Sequence, residues 1–578
     1  MTVTTTFYPD PMPPLMLTSS KIEQWNQQLK VYEELEQRKI QGTKELEKWL
    51  LDWNEIALIF KEEFGRIYIN FTTKTTDELA SKQYEYYFKN ITPAVEQFDF
   101  RLNKKLLESP YFDQIDLTAY QVFIRSIRNS VSLYSEQNAK KQIEERLLVK
   151  QYRSIIASVR VEIEGKKYTL QQSQSGKLLE EIDRTKREQS FKKGYVELLK
   201  KQAAIEQIFD QLLRLRQAMA REAGFDNYRD YKFKELGRFD YDAQDCLTFH
   251  ESVKKEILPL LAQIHERKAQ NLQIAQLCPW DLFVDAESDH PLQHFRSSQD
   301  LVEKATNILT AVHPYFGDCL KKMKAKEHLD LETRSGKVAG GYTMSLPVSG
   351  IPFMFMNISG AVADFRTFIH ESGHAVQFFL LNEQPLVTSK LPPPEIAELA
   401  AMSMELLTLD QWTHFFPTEQ AWKRAKIWLL SNVLWLLPWI CIIDRFQHWL
   451  YTHPEHSRAA RKAQWLKLLD EFNTPMMNRT AFEETMDYTW FRQLHLFEVP
   501  FYYIEYAMAQ LGAIAIWKNY KERGQIAIEQ YISAMKLGYS RPIKEVYAKA
   551  GIAFDFSREY IREIAHFLKA ELDSLLES

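Results

Sequence analysis

The chain has 578 residues, 45% hydrophobic and 26% charged, a balance that supplies a large folded core and excludes wholesale disorder. Gly and Pro number only 18 and 22, below ordinary usage, which predicts a mostly α protein and argues against β-sandwiches and Gly-rich doubly wound folds. The net charge of −4 gives no basic excess for nucleic acid, and the basic run at 184–201 also holds Glu188 and Glu197, as a solvated helix face does.

Residues 1–20 are rich in Thr and Pro (Pro9, Pro11, Pro13, Pro14) and have neither the basic start nor the apolar stretch of a secretory leader, so they read as a loose tail. Ile22, Trp25, Leu29, Tyr32 and Leu35 recur every three or four residues, which predicts an amphipathic helix within 21–60, and similar patterns run to about residue 157. Val159, Val161 and Ile163 then alternate with polar residues. Glu164-Gly165-Lys166 signals a turn, and Tyr168 and Leu170 follow, predicting one short hairpin near 158–171. Ile205, Ile208, Phe209, Leu212, Leu215 and Met219 form a helical stripe. This divides the chain into an N-terminal helical lobe over 21–200 and a larger helical lobe over 201–578.

The stretch 277–294, with Pro279 and Pro291, reads as a loop. Gly336, Gly340, Gly341, Gly350 and Gly360 then punctuate two strand-like runs, 342–346 and 352–356, which predicts a small sheet just ahead of a helix. After Pro392-Pro393-Pro394 the chain is helical to its end. Residues 427–443 are apolar except for Ser431, Asn432 and Pro438; standing alone in mid-chain, they read as a buried core helix rather than a membrane span. Cys246, Cys278, Cys319 and Cys441 are scattered with no CxxC spacing, which predicts free thiols in a reducing compartment.

The chemistry lies in Asp364-Phe-Arg-Thr-Phe-Ile-His370-Glu371-Ser-Gly-His374. On a helix, His370 and His374 stand one turn apart on one face, so both imidazoles can reach one metal. Glu371 can then reach a water activated by that metal without itself being a ligand, the arrangement for metal-assisted hydrolysis. The flanking Phe365, Phe368, Ile369, Ala375, Val376, Phe378 and Phe379 bury this helix, and buried His and Glu need partners. A third ligand is required. Glu383, Glu395, Glu398 and Glu405 are available, the last three on roughly one face of the helix after the Pro run, and periodicity alone does not choose among them. The positions of the usual gluzincin third ligand are Pro393 and Pro394, which disfavours a thermolysin-like arrangement.

Gly340-Gly341-Tyr342, Pro352 to Asn357, Asp364 to His374, Ala397-Glu398-Leu-Ala and Met404-Glu405-Leu-Leu together resemble the catalytic core of the thimet oligopeptidase and oligoendopeptidase F family of zinc metallopeptidases. The run Arg492-Gln-Leu-His495-Leu-Phe-Glu-Val-Pro-Phe-Tyr502-Tyr503-Ile-Glu-Tyr506 resembles its second signature. The likeness covers roughly 330–515 and thins upstream. Gln377 stands where many members carry a further His, which places the chain nearer the shorter bacterial oligoendopeptidase-like branch.

The resemblance implies two helical lobes around a deep substrate channel, a small sheet beside the HExxH helix, one Zn²⁺ held by His370, His374 and Glu398, and Glu371 as the base. It implies His495, Tyr503 and Tyr506 as groups contacting the substrate carbonyl, with Tyr502 in an ambiguous register. Neutral hydroxyl and imidazole donors there suit a developing oxyanion. Gly340 and Gly341 would let a peptide backbone approach, the strand at Pro352–Asn357 could offer its edge to an extended peptide, and Glu405 would orient a ligand His. The expectation is a cytoplasmic zinc endopeptidase acting on short, unstructured oligopeptides, without nucleic-acid or membrane partners. Its rivals are a carboxypeptidase or dipeptidyl carboxypeptidase with the same zinc site, and a non-catalytic helical peptide-binding protein.

Overall fold

The computed structural model describes residues 19–116, 120–174, 177–288, 292, 295–480 and 483–577. The tail expected over 1–20 lies outside these residues as far as residue 18, and Ser19 already begins a helix. The amphipathic run foreseen over 21–60 divides into two helices, Ser19–Gln37 and Thr43–Thr73. Gly42, in extended conformation, starts the second, where the chain must turn back on itself. Trp25, Tyr32 and Leu35 of the first helix pack on Trp49, Ile56 and Phe60 of the second, in an apolar core that runs to Ile127.

The hairpin forms as expected, from β1 (Arg160–Ile163) and β2 (Lys166–Thr169), antiparallel with Ile163 opposite Lys166. Its two turn residues, Glu164 and Gly165, have φ of 49° and 77°, the left-handed pair that matches the strand twist in a two-residue turn. Val161 and Ile163 face inward and join the large core, which extends to Leu572.

Three strands make the second sheet. β4 (Tyr342–Met344) and β5 (Phe353–Ile358) are the foreseen pair, and β3 (Leu329–Glu332) adds a parallel strand on the far side of β5. The order β3-β5-β4 leaves β5 with neighbours on both sides. The strand edge nearest the Gly340-Gly341 turn therefore belongs to β4, not to the Pro352–Asn357 run expected to offer it. The Thr43–Thr73 helix docks here. An added Cβ at Gly65 would lie 3.0 Å from a Leu346 methyl, and Glu62 accepts the Val348 and Ser349 N–H groups while pairing with buried Arg66.

The apolar run at 427–443 belongs to one long helix, Glu419–Thr452, with Pro438 inside it. Leu429, Leu430, Val433, Leu434, Leu437 and Ile440 are fully or almost fully buried, which makes it a central strut of the large core.

Candidate metal centre

Three helices build the site. The HExxH helix spans Val362–Leu380. Asp364 anchors its start by accepting the N–H groups of Ser359, Gly360 and Ala361, and a negative side chain there also suits the helix dipole. Phe365, Phe368, Ile369, Ala375 and Val376 are fully buried, which fixes the rotation of the helix and leaves the two histidines facing outward. The second helix, Pro394–Leu407, begins after the Pro run and carries the acids. The two helices touch at Gly373, where a Cβ would lie 2.6 Å from the Ala401 Cα and 2.9 Å from the Ala400 carbonyl. Only glycine permits that approach, and the approach sets how far Glu398 stands from the imidazoles.

Of the four acids the sequence left open, the structure brings one to both histidines. Glu398 Oε2 lies 3.3 Å from His370 Nε2 and 3.9 Å from His374 Nε2. Glu395 instead accepts the Tyr241 hydroxyl at 2.7 Å, and Glu383 is exposed. Donor atoms around a tetrahedral zinc with bonds near 2.0–2.1 Å stand ~3.3 Å apart, so the triad has the right spread for one ion. Glu398 Oε2 is buried and, among the described residues, has no hydrogen-bond partner, an orphaned anionic oxygen that a cation would satisfy. The donor set, two imidazoles and a carboxylate, fits zinc and leaves a fourth position open. Both histidine side chains keep about a fifth of their surface exposed (20% and 21%), so the position can be reached.

Glu405 stands behind His370. His370 Nδ1–H donates to Glu405 Oε1 at 2.7 Å, which turns Nε2 toward Glu398, and Arg366 Nε donates to Glu405 Oε2 at 2.5 Å. Burial alone would raise the Glu405 carboxyl, but Arg366 and His370 hold it below its usual range. Glu371 is buried and accepts the Thr343 hydroxyl at 2.8 Å, so β4 fixes the carboxylate that neighbours His370.

The third helix, Tyr503–Arg523, brings the aromatic signature. Phe501, just ahead of it, has a φ of 66°, a left-handed conformation that costs a bulky residue about 1–3 kcal/mol. Gln447 Oε1 holds its N–H at 2.7 Å and Arg238 donates to its carbonyl, while Arg238 also pairs with buried Glu505 at 2.9 Å. This brace turns the next residues toward Glu398. The Tyr502 hydroxyl donates to Glu398 Oε1 at 3.4 Å, and the Tyr502 and Tyr506 rings are 5.3 Å apart. The His495 ring lies 6.0 Å from Tyr506 and 4.5 Å from Tyr503. Gln493 Nε2 donates to His495 Nδ1 at 2.9 Å, which leaves the proton on Nε2. Burial lowers His495 to about 4 against the opposing pull of Glu398, so the ring is a neutral donor.

Tyr503 is placed differently. Burial pushes its hydroxyl up to about 12, and its side-chain hydrogen bonds go to Gln493 and Trp439 rather than toward Glu398. It backs His495, whereas Tyr502 and Tyr506 both feel the Glu398 charge. Gly340, with a φ of 105°, and Gly341 lead into β4, where a Cβ at Gly341 would meet only ordinary contacts. Thr343, Arg366 and the Phe501 brace escaped the sequence reading, because a threonine in a short strand and an arginine on a helix carry no spacing signal.

A model described as the Peptidase M3 N-terminal domain matches residues 18–134, and one described as Peptidase family M3 matches residues 177–566. The chain belongs to peptidase family M3. A family M3 resemblance extends to curated relatives. A Lactococcus lactis protein named as an oligoendopeptidase F homolog is 25% identical over 338 residues, 55% of this chain and 53% of its own length. Oligopeptidase PepF of Bacillus subtilis is 21% identical over 327 residues, 55% of this chain and 47% of its own length. The matches thus span about half the length of these curated relatives. Among solved structures, PZ peptidase A with an inhibitor superposes with a TM-score of 0.88 at 24% identity, covering 98% of this chain and 99% of that one. Oligoendopeptidase F of Enterococcus faecium gives 0.66 at 16% identity, covering 96% and 98%. The mostly α architecture foreseen from composition is the fold that these structures share.

Proposed function

We propose that this M3 protein is a zinc-dependent endopeptidase that cuts short, unstructured oligopeptides. The observation that carries the reading is the orphaned Glu398 oxygen facing both imidazoles of the HExxH helix. His370, His374 and Glu398 would hold the ion. When bound, it would supply Lewis acidity toward water and the scissile carbonyl. Glu371 accepts the proton of the attacking water and returns it to the leaving amine. Its carboxylate is held for this by Thr343. His495 Nε2–H and the Tyr506 hydroxyl donate to the carbonyl oxygen as negative charge builds there.

The edge of β4 away from β5, beside Gly340 and Gly341, would line up an extended peptide by backbone pairing, and a channel of the kind the resemblance implies would exclude folded proteins. Peptide turnover in the cytoplasm is the role that follows. The test is hydrolysis of an internally quenched peptide blocked at both ends. Wild type should cut it, a chelator should stop cutting, and Glu371→Gln should abolish turnover while the metal content stays equal. No cleavage of the blocked peptide alongside cleavage of its free-C-terminus version would instead favour an exopeptidase.

A further inference from the structure

A second set of metal-type side chains lies buried away from the HExxH helix. The helix Ala243–Glu256 carries Cys246 and His250, four residues apart, and the long helix Glu419–Thr452 carries Asp444 and His448, also four apart. Each pair lies on one face of its helix, and the two faces meet in the large core. Cys246, His250 and Asp444 are fully buried, and His448 is 4% exposed.

The hydrogen bonds within this cluster do not balance. His250 Nε2 and His448 Nε2 both lie on the same oxygen, Asp444 Oδ2, at 3.0 and 3.1 Å. If each ring donates that proton, its Nδ1 is a bare acceptor. Among the described residues, Asp444 Oδ1, His250 Nδ1 and His448 Nδ1 all lack a hydrogen-bond partner. Buried acceptors left without a donor are costly. The cluster has lone pairs to spare. Cys246 forms no disulfide, and its sulfur, an Asp444 oxygen and a His448 nitrogen all lie within 4.8 Å of one another.

We propose that Cys246, Asp444 and His448 hold a structural transition-metal dication of the zinc type, with His250 fixing Asp444 from behind. One thiolate and one carboxylate together balance a charge of +2, and a sulfur, nitrogen and oxygen set selects zinc or cobalt over calcium or magnesium. The ion ties two core helices together. The His448 ring also packs against Phe501 at 5.4 Å, the residue whose left-handed backbone delivers Tyr502 and Tyr506, so the ion would brace that turn.

The test uses the full chain, purified without chelator and measured for metal content. The expected result is two zinc per wild-type chain, one in His374→Ala and one in Cys246→Ser. Replacement with Co²⁺ gives a readout independent of activity, because of the two candidate clusters among the described residues only this one includes a sulfur. A thiolate-to-cobalt charge-transfer band in the near ultraviolet should appear in wild type, persist in His374→Ala and vanish in Cys246→Ser. If Cys246→Ser does not fold, the band in His374→Ala still decides. One zinc per wild-type chain, lost entirely in His374→Ala, with no thiolate band, would overturn the proposal and leave the cluster a proton-held Asp–His pair.

Discussion

Gly373 and Ala401 touch so closely that a Cβ built at 373 would lie 2.6 Å from the Ala401 Cα. This contact separates the two histidines from Glu398 by the distance one ion can bridge. Gly373→Ala should push the helices apart. Overpacking of this kind costs about 1–3 kcal/mol. Helical backbone favours Ala over Gly, which offsets part of that loss. Metal affinity should fall more than stability does, because Glu398 moves away from His370 and His374. Paired measurements of thermal stability and metal titration check this, and an unchanged metal affinity would show that the contact does not set the ligand spacing.

Glu405 fixes which nitrogen of His370 faces the ion, through the 2.7 Å hydrogen bond from Nδ1. Glu405→Ala should weaken metal binding about 10–100-fold. Glu405→Gln should do less harm, since an amide oxygen still accepts the Nδ1 proton. Arg366→Ala should fall between wild type and Glu405→Ala, as it removes the partner that keeps Glu405 ionised. Competition with a chromogenic chelator ranks the three.

The part of the site carried by one helix was legible in the sequence, and the part assembled across the fold was not. His370 and His374 are four residues apart, so helix geometry alone pairs them. Glu398 required a second helix at a particular distance, set by Gly373, and only family resemblance singled it out from Glu395 and Glu405. Thr343 meets Glu371 through a three-residue strand whose register no local pattern fixes. β3 was missed because Leu329–Glu332 is short and pairs with β5 more than twenty residues later in the chain. The cysteines looked scattered in the sequence, yet Cys246 meets Asp444 and His448 from a helix nearly two hundred residues away. The hairpin, by contrast, was readable because its alternation, its turn and both partners lie within one short stretch.

His265 makes folding stability depend on acid. It is buried beside Thr474, with Nδ1 at 2.7 Å from the hydroxyl, and burial lowers it from 6.5 to about 3. The unfolded chain therefore takes up the proton first as pH falls. Above pH 6.5 the group contributes nothing; between 6.5 and about 3 stability declines with falling pH. By pH 5 the loss from this residue is about 2 kcal/mol. Urea unfolding at pH 7 and pH 5 should show a smaller drop for His265→Gln than for wild type. An equal drop would mean that His265 is not protonated on unfolding.

Tyr503 and Tyr506 stand three residues apart on one helix, yet their hydroxyls face different surroundings. Tyr506 is held with Tyr502 near Glu398, whereas Tyr503 is held by Gln493 and Trp439 behind His495. A donor to the developing oxyanion acts only in the transition state, so its loss should lower kcat and leave KM nearly unchanged. Tyr506→Phe should therefore reduce kcat by about 10²–10³, the scale of one lost oxyanion donor. His495→Ala should do the same, and the Tyr506→Phe/His495→Ala double variant should lose less than the product of the two, since both serve one oxygen. Tyr503→Phe should leave kcat near wild type. Equal losses for Tyr503→Phe and Tyr506→Phe would mean that Tyr503 swings round to reach the substrate, and that the hydroxyl positions seen here change when a peptide binds.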